Sequence, residues 1–443
     1  MRMMCNKKWI VENIQSTIKK LKIVCYQKVE NHSQKSSSEM VTSFLQMKWL
    51  WQNRAQIGFG KDAVKEHLNK FVTPKSKVLC LFGGGSIDKN GARSDVNDAL
   101  SKLKCEVRWE GGIPPNPEYD RLVEIVSVVK EFKPDVLLAV GGGSVIDGTK
   151  FIAVAATYEG ENIDYWDEII IKKSFQGTPL YFGAVLTIPA TGTEWNHFFS
   201  VSRRSINWKA AATGYVNCYP QFSLIDPKYT MTLPVKQIRN GVFDAFTHCA
   251  DFVLAPIDEN KLFDNFMFSV MKELVEIGPE VVKPNSSLEL HERLIVCASF
   301  ALNTLFNLGR FGCFSIHHIA DRLTAKYGID HGATLSMVMP VFYEHTFEAR
   351  KERFAAAAEF IFDVHEGTVE DKARLFLENV NKFIDSIGIA KKVSDWEGVT
   401  INENDVDEVT NMVMEQTNKG QPFGCGNCGT PELVRSVLKK VIV

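Results

Sequence analysis

Two short glycine runs, each set directly after an apolar stretch, constrain this chain more than any other feature. Lys77-Val-Leu-Cys-Leu-Phe leads into Gly83-Gly84-Gly85-Ser86, and Asp135-Val-Leu-Leu-Ala-Val leads into Gly141-Gly142-Gly143-Ser144. A short continuous apolar run reads as a strand buried on both faces, and helical patterns follow both turns. Strand, turn and helix, twice over, predict a parallel sheet with helices on both faces. Residues 119–132 supply a crossover helix between the two units, after a loop punctuated by Pro114, Pro115 and Pro117. Further strands are expected at 182–188 and 221–225.

A glycine turn between strand and helix lets backbone N–H groups approach a phosphate, and the helix start adds a favourable dipole. Neither run completes G-x-G-x-x-G, because Asp88 and Ile146 stand where the last glycine would be. One such turn is no more than a tight loop. Two suggest two contact points on one long phosphorylated ligand. A third strand ends in the segment Thr187–Asn196, whose hydroxyls and amide suit a nicotinamide or a ribose.

After Asp226-Pro227 the texture changes. Residues 235–440 carry apolar positions at period 3.6, with polar breaks at 284–288 and 327–333, which predicts a helical second domain. Within it, Asp244 and His248 stand four apart, so both side chains face one side of a helix. Alone, the pair also fits a helix acid and a core histidine. His317, in a helical segment, and His331, in a turn-rich one, are the later imidazoles that could join them. One carboxylate and three imidazoles suit Fe(II) or Zn(II), with a position left for substrate. His317 shares its helix face with Asp321, while His318 is rotated away.

Bulk properties narrow the class. At 443 residues the chain exceeds one simple core. A formal net charge of −2 leaves no footprint for nucleic acid or an anionic membrane, and no apolar run reaches the length of a membrane span. Of the ten cysteines, Cys80, Cys249 and Cys297 sit in apolar segments and read as free thiols of a reducing compartment. Cys425-Gly426-Asn427-Cys428 is an isolated pair that redox or metal chemistry would use and an ordinary loop would tolerate. The first 45 residues hold eight Lys or Arg and three Glu, and Ile10, Ile14, Ile18 and Leu21 recur at helical spacing. Such a segment fits either a loose extension of a cytoplasmic enzyme or a mitochondrial transit peptide, although Lys dominates where transit peptides favour Arg. The expected divisions are a basic extension at 1–43, a dinucleotide-binding α/β domain at 44–234 and a helical metal-binding domain at 235–443.

Together these motifs resemble the iron-containing (group III) alcohol dehydrogenases, most closely their butanol dehydrogenase and NADPH-dependent aldehyde reductase branch. The resemblance runs from about Phe44 to about Leu438 and is carried by Phe82–Gly91, Gly141–Lys150, Pro189–Glu194, Asn240–His248 and the interval from His317 to His331. It implies a dehydroquinate synthase-like pair of domains, with the active site in the cleft. It implies Asp244, His248, His317 and His331 as ligands of Fe(II), or alternatively Zn(II). Cofactor contacts carry over to Gly83, Gly84, Gly85, Ser86, Asn116, Gly142, Gly143, Ser144, Asp147, Thr187, Thr191, Asn196 and Lys209. The branch leans to NADP over NAD. Ser86 and Lys89 suit a 2′-phosphate, and Asp88 opposes one. The implied reaction is hydride transfer between that cofactor and a small aldehyde or primary alcohol, in a homodimer. Trp195, Phe198 and Phe311 are candidates for an apolar substrate wall.

One position departs from the family. Asp321 stands where a proton-relaying histidine is usual, and a carboxylic acid there would need a raised pKa to donate at neutral pH. That substitution leaves room for a catalytically impaired relative. A second rival, a phosphate-eliminating lyase of the same fold, would need cations beside the metal, for which Arg310, Arg322 and Lys326 are available.

Overall fold

The computed structural model describes residues 51–160, 162–212, 217–256, 260–308 and 312–442. The basic extension at 1–43, Phe44, Arg310 and Phe311 lie outside the described residues. The first half runs β1 (Gln56–Phe59), α1 (Ala63–His67), β2 (Lys77–Phe82), α2 (Ser86–Lys89), α3 (Ala92–Lys102), β3 (Glu106–Glu110), α4 (Tyr119–Phe132), β4 (Val136–Gly142), α5 (Gly143–Ala155), β5 (Phe182–Ile188), β6 (Phe199–Arg203), β7 (Trp208–Ala212) and β8 (Phe222–Ile225). The second half is helical: α6 (Val235–Val253), α7 (Lys261–Val281), α8 (Leu288–Ala301), α9 (Ser315–Tyr327), α10 (His331–His345), α11 (Phe347–Phe362), α12 (Val369–Ile387), α13 (Asp405–Asn418) and α14 (Pro431–Ile442).

The six-stranded sheet has the order β1-β8-β5-β4-β2-β3, and every pairing in it is parallel. Period-2 alternation sends β4 both ways. Leu137 and Ala139 pack with Leu122, Ile125 and Ile146 of α4 and α5, while Leu138 and Val140 pack with Val64, Val96 and Leu100 of α1 and α3. Both faces are therefore covered, as the continuous apolar runs require. The chain leaves β2 for β3 on one side and returns to β4 on the other. The carboxyl ends of β2 and β4 thus flank the point where strand order reverses, the place where such sheets bind ligands. Both glycine turns sit there. The β6–β7 hairpin is antiparallel and carried no sequence expectation.

A separate core, drawn entirely from residues 238–442, holds the helices together around Phe243, Phe246, Leu323, Met337 and Phe383. Two glycines set the position of α6. A Cβ on Gly241 would lie 2.2 Å from the Pro189 carbonyl oxygen, and one on Gly332 would lie 2.4 Å from that of Asn240. Bare backbone at these points lets α6 pack directly against the loop after β5 and against the start of α10.

Candidate active site

Asp244, His248 and Asp251 occupy positions i, i+4 and i+7 of α6, so they line one face. His317 lies in the first turn of α9. His331 is the first residue of α10, so a helix start presents it where the sequence suggested only a turn. Ligand atoms of Asp244, His317 and His331 all lie within 4.8 Å of one another. His248 stands beside this trio. Its Nδ1 is 3.5 Å from Asp244 Oδ1, and its ring stacks on that of His317 with centroids 4.7 Å apart. The four side chains that the sequence singled out therefore converge, with three in the tightest set and His248 at its edge.

The polar atoms facing this centre are buried and unsatisfied. Asp244 Oδ1, His248 Nδ1, His317 Nε2 and His331 Nδ1 have no hydrogen-bond partner among the described residues. A buried polar atom without a partner is costly, and four in one cluster are explained together by a cation among them. The donor set, one carboxylate oxygen and imidazole nitrogens, fits Fe(II) or Zn(II). Behind it, His317 Nδ1 donates to Asp251 Oδ2 at 2.5 Å. This fixes the ring so that Nε2 faces the centre, the usual support for a metal-binding histidine. Sequence reasoning missed Asp251, although its spacing from Asp244 could have found it.

Protonation divides the three imidazoles. Burial lowers the pKa of His248 to about 4 and that of His331 to about 3, so both are neutral. Burial also opposes a charge on His317, but the carboxylates of Asp244 and Asp251 outweigh it and raise its pKa to about 9. At neutral pH this one imidazole carries a proton that a cation must displace.

Asp321 is not the neutral acid that proton donation would need. Its Oδ1 lies 2.7 Å from Lys209 Nζ and 3.5 Å from His331 Nδ1, and Arg322 approaches at 3.8 Å. Burial alone would raise its pKa, yet Lys209 and the other cations hold it well below the carboxylate range. Lys209, expected among the cofactor contacts, is thus also the partner of Asp321. Arg322 donates to the Lys209 carbonyl, and Lys326 pairs with Asp405 and Glu408. The cations that the lyase reading calls on are committed to protein partners, with Arg310 outside the described residues.

The nucleotide side is built from the glycine turns. Beyond Gly84 and Gly85, where Cβ atoms would stand, there is open space. A Cβ on Gly143 would lie 2.7 Å from Thr191 Oγ1, so α5 starts in contact with the loop after β5. Asn116, in the left-handed region at φ 53°, donates its backbone N–H to Ser144 Oγ at 3.1 Å and ties the proline-rich loop to the second turn. Thr187 is buried at the end of β5. Two of the expected contacts also brace the scaffold. Asn196 is fully buried, and its amide bonds the Gly192 carbonyl (3.0 Å) and the Phe198 N–H (2.9 Å). Asp147 accepts from Thr193 Oγ1 (2.6 Å) and the Ser200 N–H (2.9 Å). Both brace the Thr187–Asn196 loop from behind, because a loop this polar needs internal partners once buried. Trp195 packs on Phe300, with ring centroids 5.0 Å apart.

Comparison with known proteins gives the family. The model of the iron-containing alcohol dehydrogenases matches residues 55–227, and that of the C-terminal region of the Fe-containing alcohol dehydrogenase family matches residues 238–428. The chain belongs to the iron-containing alcohol dehydrogenase family. Among relatives of this dehydrogenase, the NADPH-dependent aldehyde reductase YqhD of Escherichia coli is 36% identical over 342 residues, covering 77% of this chain and 87% of the relative. The probable NADH-dependent butanol dehydrogenase 1 of Bacillus subtilis is 32% identical over 376 residues, covering 83% of this chain and 94% of the relative. The crystal structure of E. coli YqhD superposes with a TM-score of 0.83 at 31% identity, covering 88% of this chain and 98% of that one. No helix among the described residues is long and apolar enough to cross a membrane.

Proposed function

We propose that this dehydrogenase reduces small aldehydes with NADPH at an Fe(II) centre held by Asp244, His248, His317 and His331. Hydride transfer between NAD(P)H and an aldehyde or alcohol is the activity of the family to which the chain belongs, and the orphaned buried atoms of the four ligands carry the assignment to this site. When bound, the metal supplies Lewis acidity toward the carbonyl oxygen and the nicotinamide supplies hydride. The chain's residues do the rest by positioning. The turns at Gly83–Ser86 and Gly142–Ser144 receive the phosphates. Thr187 and Thr191 border the nicotinamide, and Lys150 and Asn196 keep that loop rigid. Asp321 acts as a positioning residue: it holds Lys209 Nζ at the cleft and keeps a negative charge beside His331.

Preference for NADPH rests on Arg93. Its Nε lies 2.6 Å from Asp88, and its guanidinium stacks over Phe82 (4.3 Å) and Trp109 (4.4 Å). The acid that would repel a 2′-phosphate is therefore neutralised, and Lys89 adds a cation nearby. Iron is the metal of the family's name, and zinc suits the same donors. A homodimer in the cytoplasm completes the reading.

The test is a panel of aldehydes, butanal included, run with NADPH and NADH on protein loaded with iron or with zinc. NADPH should show the lower Michaelis constant, and iron the higher turnover. His248→Ala should lose metal, as read by elemental analysis, together with aldehyde-dependent NADPH oxidation. Full activity in metal-free His248→Ala overturns the proposal.

A further inference from the structure

On the far side of the Asp251–His317 contact, three thiols and a buried cation converge. Cys313 lies just before α9. Cys425 and Cys428 lie in the loop between α13 and α14, which two backbone hydrogen bonds between Phe423 and Gly429 close into a tight projection. Cys313 Sγ accepts from the Cys425 N–H and from Arg350 Nη2, each at 3.4 Å, and lies 3.2 Å from Ser315 Oγ. The same Nη2 is 3.8 Å from Cys428 Sγ, and Ser315 Oγ is 3.7 Å from it. Arg350 is only 1% exposed, and Nη1 has no hydrogen-bond partner among the described residues.

A buried guanidinium without an anion is costly, and no carboxylate pairs with Arg350 among the described residues. The acceptors it meets at hydrogen-bonding distance are sulfurs, with the Asp251 carboxylate farther off within range of its charge. The Cys425 N–H and Arg350 Nη2 donate to Cys313 Sγ, and the Ser315 hydroxyl stands within hydrogen-bonding distance, a setting that suits a thiolate. In line with this, hydrogen bonds from the Cys425 and Cys428 thiols hold Cys313 far below the usual thiol range, burial opposing and Arg350 adding to them. A divalent metal is the poorer occupant, because Arg350 already places a positive charge among the sulfurs.

We infer that this cluster is a peroxide-reactive modification site, at which Cys313 is oxidised and then captured as a disulfide by Cys425 or Cys428. In the first step the Cys313 thiolate attacks a hydroperoxide. An S–O bond forms, the O–O bond breaks, and the departing oxygen takes up a proton to leave as water or an alcohol. In the second step a neighbouring thiol attacks the sulfenic sulfur. An S–S bond forms, the S–O bond breaks, and the hydroxyl leaves as water with the proton of the attacking thiol. Two thiols have lost two electrons and the peroxide has gained them. The loop is the entry side, because Gly426 and Asn427 at its tip are exposed. Oxidation removes the thiolate that Arg350 meets. The site also touches the metal layer, since the Cys313 N–H donates to the Asp251 carbonyl oxygen at 2.8 Å.

The test treats reduced full-length protein with hydrogen peroxide, alkylates what remains and maps the digest by mass spectrometry without reduction. The expected product links Cys313 to Cys425 or Cys428 and reverts with dithiothreitol. In Cys425→Ser/Cys428→Ser, Cys313 should stop at the sulfenic acid and react with dimedone. Arg350→Met should slow the oxidation by about tenfold. The inference fails if Cys313 of the wild-type protein stays alkylatable while Cys80 or Cys105 oxidises first. It fails equally if Cys313→Ser loses Cys425 and Cys428 thiols at the wild-type rate. The wild-type arm needs no variant, so a substitution that does not fold leaves the inference open to refutation.

Discussion

Two buried polar clusters, one around Lys150 and one around Asp244, differ in one respect. Around Lys150, every group is answered. Its ammonium reaches the carbonyls of Thr193 (2.7 Å), Asn196 (3.0 Å) and Phe198 (2.7 Å) and the hydroxyl of Thr193 (2.6 Å), and Asp147 accepts from the same hydroxyl. Around Asp244, four atoms face inward and none has a partner among the described residues. Both clusters are buried, and both mix acids with bases. The satisfied one fixes a loop, and the unsatisfied one waits on something the chain does not itself contain. Burial of charge alone does not mark a reactive site. Burial with unspoken-for lone pairs does.

Substitutions should pull the two apart. Lys150→Met leaves several buried acceptors and Asp147 without a cation, so it should destabilise the fold by about 3–5 kcal/mol, read as a lower denaturant midpoint. His331→Ala should do the opposite. Metal and activity should disappear, while the metal-free protein unfolds within about 1 kcal/mol of wild type. Equal losses of stability in both variants would erase the distinction. Asp321→Asn strips Lys209 of its partner and should lower kcat/KM by about a hundredfold with metal content retained. Asp251→Asn, acting only through His317, should weaken metal affinity by about 10–100-fold and leave KM for aldehyde nearly unchanged.

The smallest effect is one of pH. His317 has a pKa raised to about 9, so below that value a proton competes with the metal. Apparent metal affinity should fall by about tenfold per pH unit as pH drops from 9. His248 and His331 are already neutral in that range. Metal binding at pH 7 should therefore release one proton, measurable by calorimetry in buffers of different ionisation enthalpy. Release of two or more would mean that the imidazoles are not divided as described.

How much of this was legible in the sequence depended on the range of the interaction. Strands β2 and β4 declared themselves because a strand buried on both faces is apolar throughout. The helix pair Asp244 and His248 declared itself because four residues make one turn. The expected elements at 119–132, 182–188 and 221–225 match α4, β5 and β8 within a residue. The β6–β7 hairpin escaped notice because Phe199–Arg203 alternates within only five residues and its partner Trp208–Ala212 does not alternate. The bracing bonds of Asn196 and Asp147 were not legible, since a side chain that braces a loop and one that contacts a cofactor have the same composition. The meeting of Cys313 with the Cys425–Cys428 loop joins residues 112 apart in sequence, and no local pattern reports it.

Gly241 carries one last implication. The helix that carries Asp244 and His248 touches the loop after β5 where its hydrogen meets the Pro189 carbonyl, with no side chain between them. A methyl group there would wedge the two reacting partners apart, and hydride transfer tolerates very little added distance. On the proposed reading, the reach of the reaction is gauged by the smallest residue in the alphabet, one helical turn from Asp244.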